Sequence, residues 1–167
     1  MMSWLDRGSE NQVAEYDARL ARADEHERAK TSPTTEVQFV APGSLTSGRF
    51  GLFRYDMAPG PGGAAPHFHT SFSESFYVLS GTAMLNDGKR WVSATEGSFL
   101  YVPERSVHGF RNDSDDTASL LILFSPAPPR EAFFREIAAV AVSGRSLSQE
   151  EWRELYQRHD QYMVEID

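Results

Sequence analysis

The chain has 167 residues, enough for one domain with a hydrophobic core and too few for two comfortable ones. Its formal net charge of −8 repels phosphate backbones and anionic lipid surfaces, which argues against nucleic acid or a membrane as partner. The absence of cysteine removes disulfides, zinc fingers and thiolate chemistry, and leaves histidine and carboxylates as the strong metal ligands.

The opening run MMSWLDRGSENQ has neither a basic n-region nor an apolar h-region, so no secretory signal is expected. The longest apolar runs, Leu120–Phe124 and Ile137–Val142, are too short to span a bilayer, and a soluble, cytoplasmic protein is the expectation. Residues 1–34 form a charged zone, expected as an N-terminal helical extension over about Ser9–Lys30. Ser9 and Gln12 have capping-box spacing there, and Val13, Tyr16 and Leu20 fall on one narrow stripe. That stripe is too thin to be stable alone. With Trp4 and Leu5 it forms a candidate arm for a homodimer, since an uncovered β edge needs a partner.

Over residues 35–126 the pattern changes to short β-type runs broken by Gly, Pro, Asn and Asp. The expected strands are Glu36–Val40, Arg49–Met57, Glu74–Leu79, Thr82–Leu85, Arg90–Ala94, Ser98–Val102 and Leu120–Phe124. Asn86-Asp87-Gly88 has the composition of a hairpin turn, because Asp and Gly tolerate positive φ. Many short strands without intervening helices argue for an all-β sandwich or barrel. Residues 127–167 turn helical again. Pro128-Pro129 precedes a helix over Arg130–Val142, and Ser148 with Glu151 makes a capping box for a second one. Trp152, Leu155, Tyr156, His159 and Tyr162 form its apolar face, read as a lid or buttress packed on the barrel.

Three of the five histidines stand out by spacing. His67 and His69 are two apart, so on an extended strand both imidazoles project from one face. Glu74 begins the next strand, and His108 follows the Phe99–Pro103 strand. Three imidazoles and a carboxylate make a borderline donor set, suited to iron, manganese, cobalt, nickel, copper or zinc. By period-two parity Glu74 shares a face with Phe76 and Val78, and His108 with Phe110; these, with Met57 and Phe53, are candidate walls of a dry pocket. His26 and His159 read as surface or packing residues.

The stretch His67-x-His69-x4-Glu74-x6-Gly81 resembles the first motif of the cupin superfamily, G-x5-H-x-H-x3–4-E-x6-G. Gly97-x5-Pro103-x4-His108-x3-Asn112 resembles the second, G-x5-P-x-G-x2-H-x3-N. Two positions depart: Pro61 replaces the opening glycine of motif one, among Gly60, Gly62 and Gly63, and Arg105 replaces the inner glycine of motif two. Neither is a ligand, so loop shape is what they bear on. The resemblance implies an all-β, double-stranded β-helix (jelly-roll) barrel. It also implies one divalent transition metal ion on His67, His69, Glu74 and His108 near an open mouth.

Phe76-Tyr77-Val78-Leu79-Ser80-Gly81, His108-Gly109-Phe110-Arg111-Asn112 and the Pro126…Phe133-Phe134 tail look most like the single-domain, quercetin (flavonol) dioxygenase-like cupins. The resemblance thus implies a dioxygenase-like enzyme on an aromatic or enolisable small molecule, with Glu74 as ligand throughout or as general base. Two other classes stay open, because one barrel supports many chemistries. They are a non-redox metalloenzyme (isomerase, cyclase or decarboxylase) and a non-catalytic small-molecule-binding module.

Overall fold

The computed structural model describes residues 18–165. Strands β1 (Arg28–Ser32), β2 (Thr35–Ala41), β3 (Gly51–Met57), β4 (Gly63–Phe68) and β5 (Ser73–Ser80) come first. They are followed by β6 (Thr82–Asn86), β7 (Trp91–Thr95), β8 (Phe99–Val102), β9 (His108–Arg111) and β10 (Ala118–Ser125). Helices α1 (Arg130–Ser143) and α2 (Gln149–Arg158) and a short strand β11 (Tyr162–Met163) complete the chain. The strands form two antiparallel sheets, ordered β1-β2-β3-β10-β5-β8 and β11-β4-β9-β6-β7. This is a jelly roll of two facing sheets, not one continuous hydrogen-bonded cylinder.

Alternation explains why these segments are strands. In β3, Gly51, Phe53, Tyr55 and Met57 point inward and the residues between them outward. β10 lies between β3 and β5, with Ile122 opposite both Phe53 and Phe76, and Leu120 opposite Tyr55 and Val78. Each inward residue therefore meets apolar neighbours on both sides, the cross-strand unit from which sheet stability is built. The same register sets Glu74 between Phe124 and Val102, a carboxylate in an otherwise apolar row.

α1 closes one side of the core with Phe133 and Phe134, and the Phe134 ring meets Phe53 edge-to-face at 5.0 Å. It ends at Gly144 in the left-handed conformation. The capping box of α2 forms as expected: the Ser148 side chain accepts from the Glu151 amide and the Glu151 carboxylate accepts from the Ser148 amide. Of its expected apolar face, Leu155 is buried and Trp152 and Tyr156 pack on the core. Tyr162 belongs instead to β11 and stacks on Phe68 at 5.2 Å.

The N-terminal helix expected over Ser9–Lys30 needs correction. Residues 9–17 lie outside the described residues, residues 18–27 contain no helix, and Arg28–Ser32 is a strand paired antiparallel with β2. Ladder bonds offered by β2, with Ala29 buried opposite Val37 and an Arg28–Glu36 ion pair of 2.8 Å, outweigh a helical stripe with too little apolar surface. The strands β4, β9 and β11 were absent from the expected set. β4 carries Gly63 and Pro66, and β9 is four residues long. Only pairing with each other makes them legible.

Gly63 and Gly81 carry the loops that sequence spacing marked. Both have positive φ, 99° and 73°, and a Cβ on either would collide with a carbonyl oxygen, of Phe110 or Thr117. Gly63 thus supplies the close backbone approach for which Pro61 is unsuited. Arg105 stands at φ 65°, the conformation a glycine would take without strain. Arg105→Gly is expected to stabilise the fold by about 1 kcal/mol, the left-handed penalty less the added freedom of the unfolded chain. Urea unfolding of the two proteins checks this. The Arg105 side chain is exposed, so little packing is lost.

Candidate metal centre

The fold brings His67, His69, Glu74 and His108 together, with one potential ligand atom from each lying within 4.8 Å of all the others. All four are buried, none more than 3% exposed. His67 is inward on β4, His69 follows directly after that strand, Glu74 is inward on β5, and His108 opens β9 opposite His67.

Each imidazole is oriented from behind. His67 Nδ1–H donates to the Ala65 carbonyl at 2.8 Å, His108 Nδ1–H to Ser106 at 3.0 Å, and His69 Nδ1–H to Asp160 at 2.6 Å. Committing every Nδ1 to a carbonyl leaves every Nε2 of a neutral ring as a lone pair. Backbone carbonyls hold metal-binding histidines in this way.

Those lone pairs converge on a carboxylate. Glu74 Oε2 is 3.0 Å from His69 Nε2 and 2.8 Å from His108 Nε2. Between neutral rings and an ionised carboxylate these would be contacts of acceptor with acceptor, which need a proton or a cation between them. Bonds of about 2.1 Å at right angles give edges of about 3.0 Å, so the spacing suits a divalent transition ion. The chemistry of the donor set and its geometry therefore agree.

The electrostatics follow from burial and proximity. Burial drives the His67 pKa down to about 3, helped by His108, so this ring is neutral at any physiological pH and its Nε2 lone pair is free for a metal. Burial also opposes charge on His108, but the Glu74 carboxylate outweighs it and raises that pKa. Burial disfavours the Glu74 anion, yet the charge of His108 and the hydrogen bonds of His108 and His69 hold its carboxyl well below the usual range. In the metal-free protein the shared proton thus resides on His108.

A test follows from the sign. A group whose pKa is raised on folding contributes stability that is complete below its unfolded value and is lost as pH rises through its folded value. A metal ion must displace that same proton. Uptake at a pH below the raised His108 value is expected to release about one proton per ion, with affinity falling as pH drops further. Calorimetry in buffers of different ionisation enthalpy measures the release. Proton-free uptake would contradict the arrangement.

Of the walls that parity predicted, only Phe110 lines the cavity beside the cluster, and Thr35, Arg130 and Gln161 make the lining mixed. Phe76, Val78 and Phe110 are buried, and the Phe76 ring centre lies 5.8 Å from that of His108. Phe72 stacks on His69 at 4.3 Å. A cavity of about 210 Å³ opens onto His67 and Glu74. From β3 it is Tyr55 that lines this space, while Phe53 and Met57 are packed in the core.

Two residues that sequence reasoning passed over shape the centre. Asp160, at φ 54°, gives its carbonyl to His69, and its carboxylate accepts from the amides and hydroxyls of Thr70 and Ser71. Nothing in the sequence links residues 91 positions apart. Arg130 lines the cavity and is only 4% exposed. A signal did exist for it: Arg130, Phe133, Phe134 and Ile137 share one helical face, which places a cation on the apolar side. Asn112 of motif two is structural, donating to the Met57 and Asp116 carbonyls. His159 packs on Phe133 and donates to Glu136 at 2.7 Å, away from the ligands. His26 lies near Gln38.

A jelly roll with a three-histidine, one-glutamate cluster at the end of a small cavity defines a class of metal-site β-proteins. Residues 53–124, which contain all four cluster residues, match the family model of the cupin domain. Quercetin 2,3-dioxygenase of Bacillus subtilis (strain 168) is 34% identical over 90 residues, 52% of this chain and 26% of that protein. The chain thus spans about a quarter of the length of this curated relative.

Among solved structures, KdgF from Halomonas sp. superposes with a TM-score of 0.58 at 20% identity, covering 66% of this chain and 96% of that one. The polyketide cyclase RemF from Streptomyces resistomycificus gives 0.55 at 20%, covering 65% and 80%. At such identities the two structures share the fold alone with this chain. No helix among the described residues is long and apolar enough to cross a membrane.

Proposed function

We propose that this protein is a cupin and a dioxygenase-like metalloenzyme acting on an aromatic or enolisable small molecule. In this reading His67, His69, Glu74 and His108 hold one divalent transition ion, and Glu74 also serves as general base. The observation that carries it is the commitment of all three Nδ1 atoms to carbonyls, which leaves three Nε2 lone pairs for a cluster shared with Glu74 beside a cavity. The 34% identity to quercetin 2,3-dioxygenase supports the reaction class.

A bound ion would polarise a substrate oxygen and lower the pKa of the group that bears it. The chain's own residues do the rest. Glu74 accepts the substrate proton, and the carbonyls of Asp160 and Ser106 hold the rings of His69 and His108 beside it. Phe72 and Phe76 exclude water from the ligands.

The cavity size favours a second reading. About 210 Å³ is below the roughly 300–1,000 Å³ of sites that hold drug-sized ligands, so a substrate smaller than a flavonol fits better. The same donor set serves a non-redox isomerase, cyclase or decarboxylase on such a molecule. An oxygen electrode with product analysis separates the readings, using flavonols and smaller enolisable aromatics with iron, manganese, cobalt and nickel forms. Oxygen uptake supports the dioxygenase, and conversion without uptake the non-redox enzyme. Binding without conversion under every metal leaves a binding module.

We also propose a homodimer. Tyr77, Phe99 and Tyr101 are 43%, 64% and 58% exposed on the outer face of β5 and of β8, which ends its sheet. Such an aromatic edge favours a partner. Of the N-terminal arm residues expected to contribute, Trp4, Leu5, Val13 and Tyr16 lie outside the described residues, and Leu20 is exposed. Light scattering is expected to show a dimer that Phe99→Lys converts to monomer; a monomeric parent protein at high concentration would end this proposal.

A further inference from the structure

Arg130 is a permanent cation in the interior, and its surroundings do not account for it. Its guanidinium lies 3.9 Å from the ring centre of Phe133 and 5.1 and 5.4 Å from those of Phe124 and Phe134. Among the described residues it forms no ion pair. Its hydrogen-bond partners are neutral: Nη1 donates to the His159 carbonyl at 3.2 Å and Nη2 to Gln161 Oε1 at 3.1 Å. Two of five N–H donors are thus engaged and three remain, among them Nε–H, which is buried without a partner. A buried charge left in this state is costly.

The cavity that Arg130 lines also reaches His67 and Glu74. A second buried polar atom without a partner, Thr35 Oγ1, belongs to a residue lining the same space. The acidic groups whose charge acts on Arg130 are Glu74, Tyr55 and Asp160. Asp160 is engaged by Thr70 and Ser71, and burial raises the Tyr55 pKa so that the phenol stays neutral. Glu74 alone opposes both Arg130 and a divalent ion. Arg130 thus has no carboxylate of its own among the described residues.

We infer that Arg130 is the substrate-anchoring residue of this cavity, taking a carboxylate on its free guanidinium edge. The carboxylate is carried on a single planar ring or a short unsaturated chain. A guanidinium presents paired N–H groups that match a carboxylate bidentately, which a lysine does not. Trp152, Tyr156 and Phe110 supply flat apolar walls for the rest of the molecule, and the volume of about 210 Å³ limits it to roughly one ring. This inference deepens the proposed function by naming the substrate class of the same site, and rests on it for the catalytic role alone.

The test titrates benzoate and its neutral isostere benzamide into metal-free and zinc-loaded protein by calorimetry. Benzoate is expected to bind at least tenfold more tightly than benzamide in both forms. Arg130→Met is expected to abolish that preference while retaining benzamide binding and zinc stoichiometry, and Arg130→Lys to recover only part of it. Should Arg130→Met not fold, the Arg130 Nε–H resonance of the unaltered protein gives an independent readout, expected to move downfield on saturation with benzoate. Equal affinities for the two probes, benzoate binding only through zinc, no benzoate binding at tens of millimolar, or an unmoved Nε–H signal would each overturn the proposal. Failure to bind zinc or to turn over any substrate would instead count against the metalloenzyme reading and leave the anion subsite standing.

Discussion

Replacing His108 by Ala is expected to abolish stoichiometric metal binding, and His69→Ala to do the same. Each change removes one of four ligands and one of the two Nε2 atoms that hold Glu74 Oε2. Loss of a group that merely orients a ligand already costs about 10–100-fold in affinity, and loss of the ligand itself costs more. The fold should survive, because the core is apolar: Phe53, Phe76, Leu120, Ile122 and Phe124 are buried independently of the centre. The check is elemental analysis of purified protein alongside circular dichroism. Full metal content in both variants would remove the ligand assignment.

Glu74→Gln separates a catalyst from a binder. Glutamine keeps the size and one ligating oxygen but loses basicity and charge. Its amide can donate to a neutral Nε2 of His69 or His108, so the buried site remains satisfied. If Glu74 takes the substrate proton, turnover is expected to fall roughly 10²–10⁴-fold while some metal is retained. A binding module would show only a modest change in affinity. Steady-state rates normalised to bound metal decide the matter; turnover within a factor of two of the parent would refute the base role.

Local chemistry was the legible part of this protein. Alternating hydrophobicity marked seven of the strands to within two residues, because a half-buried strand writes its parity into the chain. The Ser148–Glu151 capping box was likewise visible, since both partners lie within one helical turn. The four candidate ligands were legible for a different reason: His67, His69 and Glu74 are confined to eight residues, and His108 sits in a second motif with turn residues at fixed offsets.

Strand pairing decided the remainder. Arg28–Ser32 is a strand because the adjoining β2 offers it a ladder, an advantage that a helical-stripe reading of the segment does not weigh. The Asp160 clasp on His69 and the site of Arg130 depend on the C-terminal helices folding back across the sheet edge, where β11 pairs with β4. By itself, then, the sequence determined the all-β class through periodicity, and the jelly roll and the four-residue cluster through its resemblance to the two cupin motifs. Tertiary structure alone determined the tautomers, the sharing of Glu74 by two histidines, and the cation in the cavity wall. Those are consequences of burial and of contacts across the sheets, and both arise only when distant segments meet.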